Sequence, residues 1–302
     1  MYRGLFKPIL DRRKREHVAV HKVLYHLVRG EYEAVCALLT NNIDLLYKMS
    51  SITDLSGRTF EKISPFQYAL WSLNKHAWNK MLECIPRTKE GNEVLDNLMS
   101  QYKALQIEAD EDTPEIKEEI PQSKGVTYTL NEKVITEPHY DFAIIDALRK
   151  HANADYNSEN KPAIDKQWRE EVGGAQRLLP LHIMDEYCSN GVFFPIPDFN
   201  DPPEITQDTF DNWTSLENNL PLKEKVYSHG KIHSQIGVDI ALYKGQGGLN
   251  GVITAGGNTG PASQDLDAME ALFSVRMEDF EQLEGQLLSL RVVHDNLLGP
   301  NI

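Results

Sequence analysis

Apolar residues recur along this chain in paired short runs at helical spacing. Phe66, Ala69, Leu70 and Leu73 fall at i, i+3, i+4 and i+7, and Trp78, Met81, Leu82 and Ile85 repeat that spacing after a polar break at Asn74–His76. Ser64-Pro65 supplies a start signal, a capping hydroxyl followed by proline at the first helical position. An earlier pair has the same form. Val20, Val23, Leu24, Leu27 and Val28 make one stripe, Gly30 marks a turn, and Val35, Leu38 and Leu39 continue in a second helix. Two short helices with a narrow turn cannot bury both apolar faces alone, so such pairs need neighbours.

The pattern continues downstream. Residues 92–106 predict a helix through Val94, Leu95, Leu98, Met99, Tyr102 and Leu105, and the helical period returns from Pro138 through Ile144, Ala147 and Leu148. Val126–Leu130 and Lys133–Thr136 predict a hairpin around Asn131-Glu132. Trp168–Cys188 predicts two helices or one broken near Pro180. Phe193–Pro221 is an irregular loop whose aromatic residues supply its packing. At the carboxyl end, Met269, Phe273, Arg276, Phe280, Leu283, Leu287, Leu290, His294 and Leu297 alternate steps of four and three. They predict a helix over 265–298 with about four heptads of seam, interrupted by Arg276 and His294 and weakened at Gly285. Packing of that seam on the same chain, as a monomer, is expected over a coiled-coil dimer.

The first helix pairs resemble the ankyrin repeat. Ser64-Pro65-Phe66-Gln67-Tyr68-Ala69 is similar to that family's Thr-Pro-Leu-His-x-Ala string, with Gln67 where the family has histidine. Asp54-Leu55-Ser56-Gly57-Arg58-Thr59 resembles its hairpin. The turns recur at about 45 residues, against roughly 33 in the family, so the repeats are degenerate. SPFQYALW and VGGAQRLLPLHIMDEYC are also similar to ankyrin-like proteins of intracellular bacteria, many of them delivered into host cells by Dot/Icm-type type IV secretion. The acidic residues Glu270, Glu278, Asp279, Glu281 and Glu284 resemble the glutamate-rich carboxyl-terminal signals of such effectors.

The expected fold is therefore mainly α. Degenerate ankyrin-like repeats span 1–106, an acidic loop and a hairpin 107–137, a helical and irregular region with a glycine-rich loop 138–264, and a long helix 265–302. The resemblance implies a protein–protein interaction scaffold, made in the bacterial cytoplasm and secreted into the host cytoplasm, with a host protein as partner. Outward-facing aromatics are common interface anchors. Trp71, opposite the main stripe of its helix, with Tyr68 and His76, are the candidate protein-binding residues.

Composition narrows the chemistry. A net charge of −14 argues against a broad nucleic-acid surface, although residues 1–30 carry a basic cluster, Arg12–Arg15, read as a solvated arm before the first helix. No apolar run suits stable membrane insertion. Cys36, Cys84 and Cys188 lack close spacing and fit a reducing compartment. Cys36 and Cys84 read as small core residues. No cofactor is expected. Gly245–Gly260 lacks the lysine and hydroxyl of a phosphate loop. His229 and His233 could share a helical face as metal ligands, yet no third ligand accompanies them. The competing class is a cysteine-dependent hydrolase or transferase with Cys188 as nucleophile and His182 or His229 as base, the repeats recruiting substrate.

Overall fold

The computed structural model describes residues 3–106, 125–155, 159–188, 193–203, 226–228, 231–233, 241, 244–245 and 259–298. The chain is helix-rich with a small four-stranded antiparallel sheet and a long carboxyl-terminal helix. Helices α1 (Arg3–Leu27) and α2 (Tyr32–Asn41) lead through a 3-10 turn at Ile43–Leu46 to strands β1 (Ser50–Thr53) and β2 (Thr59–Ile63). Helices α3 (Pro65–Trp71), α4 (Lys75–Glu83) and α5 (Lys89–Leu105) follow, then β3 (Val126–Leu130) and β4 (Lys133–Glu137). Helix α6 (Ala143–Ala152) precedes α7 (Lys161–Gln167), a π turn (Trp168–Val172), α8 (Gly173–Arg177) and α9 (Leu181–Cys188). A short hairpin, β5 (Val226–Ser228) and β6 (Lys231–His233), and α10 (Thr259–Leu298) complete the described elements.

The first two helix pairs stack, α1 on α3 and α2 on α4. Each pair turns through one left-handed residue, Gly30 at φ 69° and Leu73 at φ 56°. Glycine takes this conformation freely, whereas leucine strains to do so. Leu73 is held because its side chain is sealed in the core. Helix α3 begins with a capping box. The Gln67 amide N–H donates to Ser64 Oγ at 3.0 Å, and Gln67 Oε1 accepts from the Ser64 N–H at 3.3 Å. Gln67, the departure from the family string, thus closes the cap of its own helix. The Arg12–Arg15 cluster lies within α1, not in an arm before it, because the helix already runs from Arg3.

The sheet runs in the order β1-β2-β3-β4. β3 and β4 pair from Val126↔Glu137 to Leu130↔Lys133. Asn131 (φ 48°) and Glu132 (φ 65°) form the tight two-residue turn between them. β2 joins β3 through Thr59↔Thr129, so the later hairpin completes the sheet started by β1 and β2. This sheet covers the second side of α3, which is why that helix is buried all round.

Arg58, in the turn after β1, binds these layers to the second half of the chain. Its guanidinium lies 5.4 Å from the Trp71 ring, 5.4 Å from Tyr128 and 5.2 Å from Tyr140. Its Nη1 donates to the Leu178 carbonyl at 2.7 Å. Rings around a cation of this kind stabilise it in place of water.

Helix α10 packs along α6 and α5 and touches α4. Ala268, Met269, Leu272, Phe280, Leu283 and Leu287 are buried along it, so most of the predicted seam faces its own chain. The helix continues through Gly285 without a break. Among the described residues no helix is long and apolar enough to cross a membrane.

Candidate functional site

The densest polar chemistry lies where α9, α10 and the start of α4 meet. In α9, Ile183, Met184 and Tyr187 turn inward, and Glu186, three residues after Ile183, falls on that buried side. From α10, Arg276 reaches it without any solvent exposure. Arg276 Nη2 donates to Glu186 Oε1 at 3.0 Å and approaches His76 Nε2 at 3.4 Å. Its Nη1 donates to the Phe199 carbonyl at 3.0 Å and to Asp279 Oδ2 at 3.2 Å. Lys75 Nζ adds a 2.7 Å bridge to Asp279. Burying an ion is costly unless its partners are close and well oriented. Here two carboxylates and a carbonyl surround one guanidinium.

A second buried carboxylate adjoins this group. Asp265 accepts the Lys244 N–H at 3.0 Å, the Gly245 N–H at 2.7 Å and the Tyr187 hydroxyl. The Lys244 ammonium donates to the Glu186 carbonyl at 2.5 Å and sits 4.3 Å from the centre of the Phe193 ring.

Burial governs the acidity of these groups. Desolvation pushes Glu186 up to about 7 against the pull of Arg276 and Lys244. It pushes Asp265 up to about 7 despite the Tyr187 hydroxyl and two backbone N–H donors. Burial, followed by the Arg276 cation, pulls His76 down to about 4. The same two causes, with His76 added, hold His182 well below the usual imidazole range. The two carboxyl values suit proton transfer at neutral pH, whereas both imidazoles are held neutral there. The groups, however, are turned towards one another in the interior, and as built the cluster clasps α10 to α9.

The residues singled out in the sequence are scattered. Trp71 and Tyr68 are not surface anchors. Both are buried, because the sheet that closes over α3 converts its second face into core. The Trp71 indole donates to Glu137 Oε1 at 2.9 Å, and its ring lies among those of Phe60, Tyr128 and Tyr140. His76 is half-buried beside Arg276 and belongs to the clasp.

Cys188 closes α9, and its side chain lies outside the described residues. His182, one base suggested for it, is buried against the backbone of Ser72 and Leu73. His229 lies outside the described residues, as does the side chain of His233. The shared helical face does not form there, since His233 pairs with Val226 in a strand hairpin. Residues 246–258 of the glycine-rich loop are likewise outside the described set. Among the described residues no group of three or more His, Cys, Asp or Glu could hold a metal ion.

Arg276, Glu186, Lys244 and Asp265 were missed as a group. One signal was present, a charge set into an apolar heptad seam at Arg276.

An open recess lies between α4 and α10. It is a cleft of about 810 Å³ lined by Asn79, Leu82, Glu83, Ile85 and Arg87 on one side and Gln282, Gly285, Gln286, Ser289 and Leu290 on the other. A Cβ placed on Gly285 would meet nothing within 4 Å, so the α10 wall is bare at its middle. Apolar patches flanked by amides and one charge of each sign suit a peptide or protein surface.

Comparison with known proteins finds similarity across most of the chain. Residues 143–287 match the family model described as the CBUA0006 C-terminal domain. Over 279 residues the chain is 29% identical to the uncharacterized protein CBUA0006 of Coxiella burnetii (strain RSA 493 / Nine Mile phase I), covering 90% of this chain and 76% of that protein. The chain is thus similar to CBUA0006 over most of its length. No ankyrin-repeat family model matches it, and no solved structure matches. The region matched by the family model contains Glu186, Lys244, Asp265 and Arg276, whereas Lys75 and His76 of the clasp lie before it.

Proposed function

We propose that this protein is a protein-binding effector, delivered by a Dot/Icm-type secretion system and acting in the host cytoplasm through the α4–α10 cleft. The observation that carries the reading is the cleft itself, open to solvent, of mixed polarity, and walled by one helix from each part of the chain. Two stacked helix pairs with a hairpin ahead of the second support an ankyrin-like origin of the first part. Similarity to a Coxiella burnetii protein supports the delivery context. The acidic residues on α10 supply a candidate export signal.

Gly285→Trp tests the binding reading, because its Cβ meets open space and its indole adds bulk on the cleft wall. Wild type and variant, each as the intact chain, are used to capture proteins from host lysate. A host protein retained by the wild type and lost with the variant, at unchanged melting temperature, is the expected result. Equal capture by both, or none by either, would refute it. Delivery is tested separately with a reporter fused to the chain with and without residues 265–302. The truncated form should stay in the bacterium.

A further inference from the structure

Three cysteines occur in the sequence, and two of them meet. Cys36 on α2 and Cys84 at the end of α4 are separated by 48 positions, yet both thiols donate to one acceptor, the Lys80 carbonyl, at 3.6 Å and 3.2 Å. Both are reduced and both are half-buried, so neither is sealed in the core. Two thiols that share one acceptor across a packed helix pair are near neighbours, and a disulfide forms once their side chains rotate toward each other.

We propose that Cys36 and Cys84 are a paired modification site, which a small-molecule disulfide such as oxidised glutathione converts into a cross-link between α2 and the end of α4. The Cys36 thiolate attacks one sulfur of the oxidant, and one glutathione thiolate leaves. Cys36 is then a mixed disulfide. Cys84, its proton passed to solvent, attacks the Cys36 sulfur and displaces the second glutathione thiolate. Two protein thiols are oxidised, one glutathione disulfide is reduced to two thiols, and the two protons return to them.

The order of the steps follows from the surroundings. Burial, and then the neighbouring Cys36 thiol, push the Cys84 thiol up to about 12, which makes it a poor first nucleophile. Capping Cys36 removes the second of those restraints, and the Lys80 ammonium nearby favours the thiolate. The product ties the first helix pair to the second, a restraint that acts mainly on the unfolded chain. Its position adjoins Glu83 and Ile85, two residues of the cleft wall. The chemistry of the pair does not depend on what the cleft binds.

The test uses the intact wild-type chain incubated with oxidised glutathione, followed by thiol titration and a non-reducing digest read by mass spectrometry. The expected result is a Cys36–Cys84 linked peptide and the loss of two titratable thiols. The melting temperature should rise by about 5–10 °C and fall back on reduction. In Cys84→Ser, Cys36 should instead retain a glutathione adduct. Free thiols at both positions after oxidation, or stable glutathione adducts on both in the wild type, would overturn the proposal. So would a link formed only between separate chains.

Discussion

Arg276 of α10 donates to Glu186 of α9 at 3.0 Å, with 0% and 6% of their side chains exposed. A pair this deep adds little net stability over an apolar one, but losing one partner strands the other. It therefore fixes register. Sliding α10 by one turn along its apolar seam would still bury leucines, yet would leave a guanidinium in the core without its carboxylate.

Arg276→Met should consequently destabilise the protein by about 3–5 kcal/mol. Glu186→Met should do the same. The double variant should cost clearly less than the two together, because no unpaired ion remains. Urea denaturation of the four proteins measures the coupling. Additive losses would mean that the pair does not act as a unit.

The same region predicts an unusual pH profile. Glu186 and Asp265 both have folded values of about 7, above their ordinary carboxyl range, so protonation favours the folded state. Their stabilising contribution is full below the unfolded carboxyl values and is lost as pH rises through about 7. His76 works in the opposite direction. Its folded value of about 4 lies below the ordinary 6.5, so its contribution is present above 6.5 and lost as pH falls through about 4. The two effects oppose each other between about 4 and 6.5, and above that range only the loss from the two carboxyls remains. Asp265→Asn should flatten the decline from pH 5 to 8 by about 1–3 kcal/mol. An Asp265→Asn profile parallel to that of the wild type would exclude the assignment.

Close approach of the helix pairs makes Ala69 a tight position, with no exposed surface. Ala69→Leu should cost about 1–3 kcal/mol by overpacking. An unchanged thermal midpoint would show that the helices there have room to spare.

Gly285 offers a change of opposite sign. Its helix is continuous, and a Cβ would meet open space. Gly285→Ala should raise stability by about 0.5–1 kcal/mol. A loss of stability, measured by the same denaturation, would imply a bend at this point.

The amphipathic helices were legible in the sequence because their stripes are long and their caps explicit, as at Ser64, Pro65 and the heptad run from Met269. The later hairpin announced itself through Asn131-Glu132 between β-branched residues. Strands β1 and β2 were marked only by the resemblance of their turn, Asp54–Thr59, because Ser50–Thr53 and Thr59–Ile63 are too short to establish an alternating period. Missing their sheet had a direct cost. Trp71 and Tyr68 looked exposed only while nothing was known to cover the far side of α3. The clasp was half visible. Arg276 broke an apolar seam, but its partner Glu186 lies 90 positions earlier, and no local pattern links residues so far apart. The meeting of Cys36 and Cys84 at the Lys80 carbonyl was hidden for the same reason.

Helix α10 also imposes an order of events on synthesis. The residues that cover α5 and α6, and the guanidinium that neutralises Glu186, are made after all of the segments they complete. A nascent chain therefore leaves the ribosome with Glu186 lacking its cation and with Tyr102, whose hydroxyl donates to the Phe280 carbonyl at 3.1 Å, still uncovered. During that interval the earlier segments are open to helper proteins, proteases or aggregation.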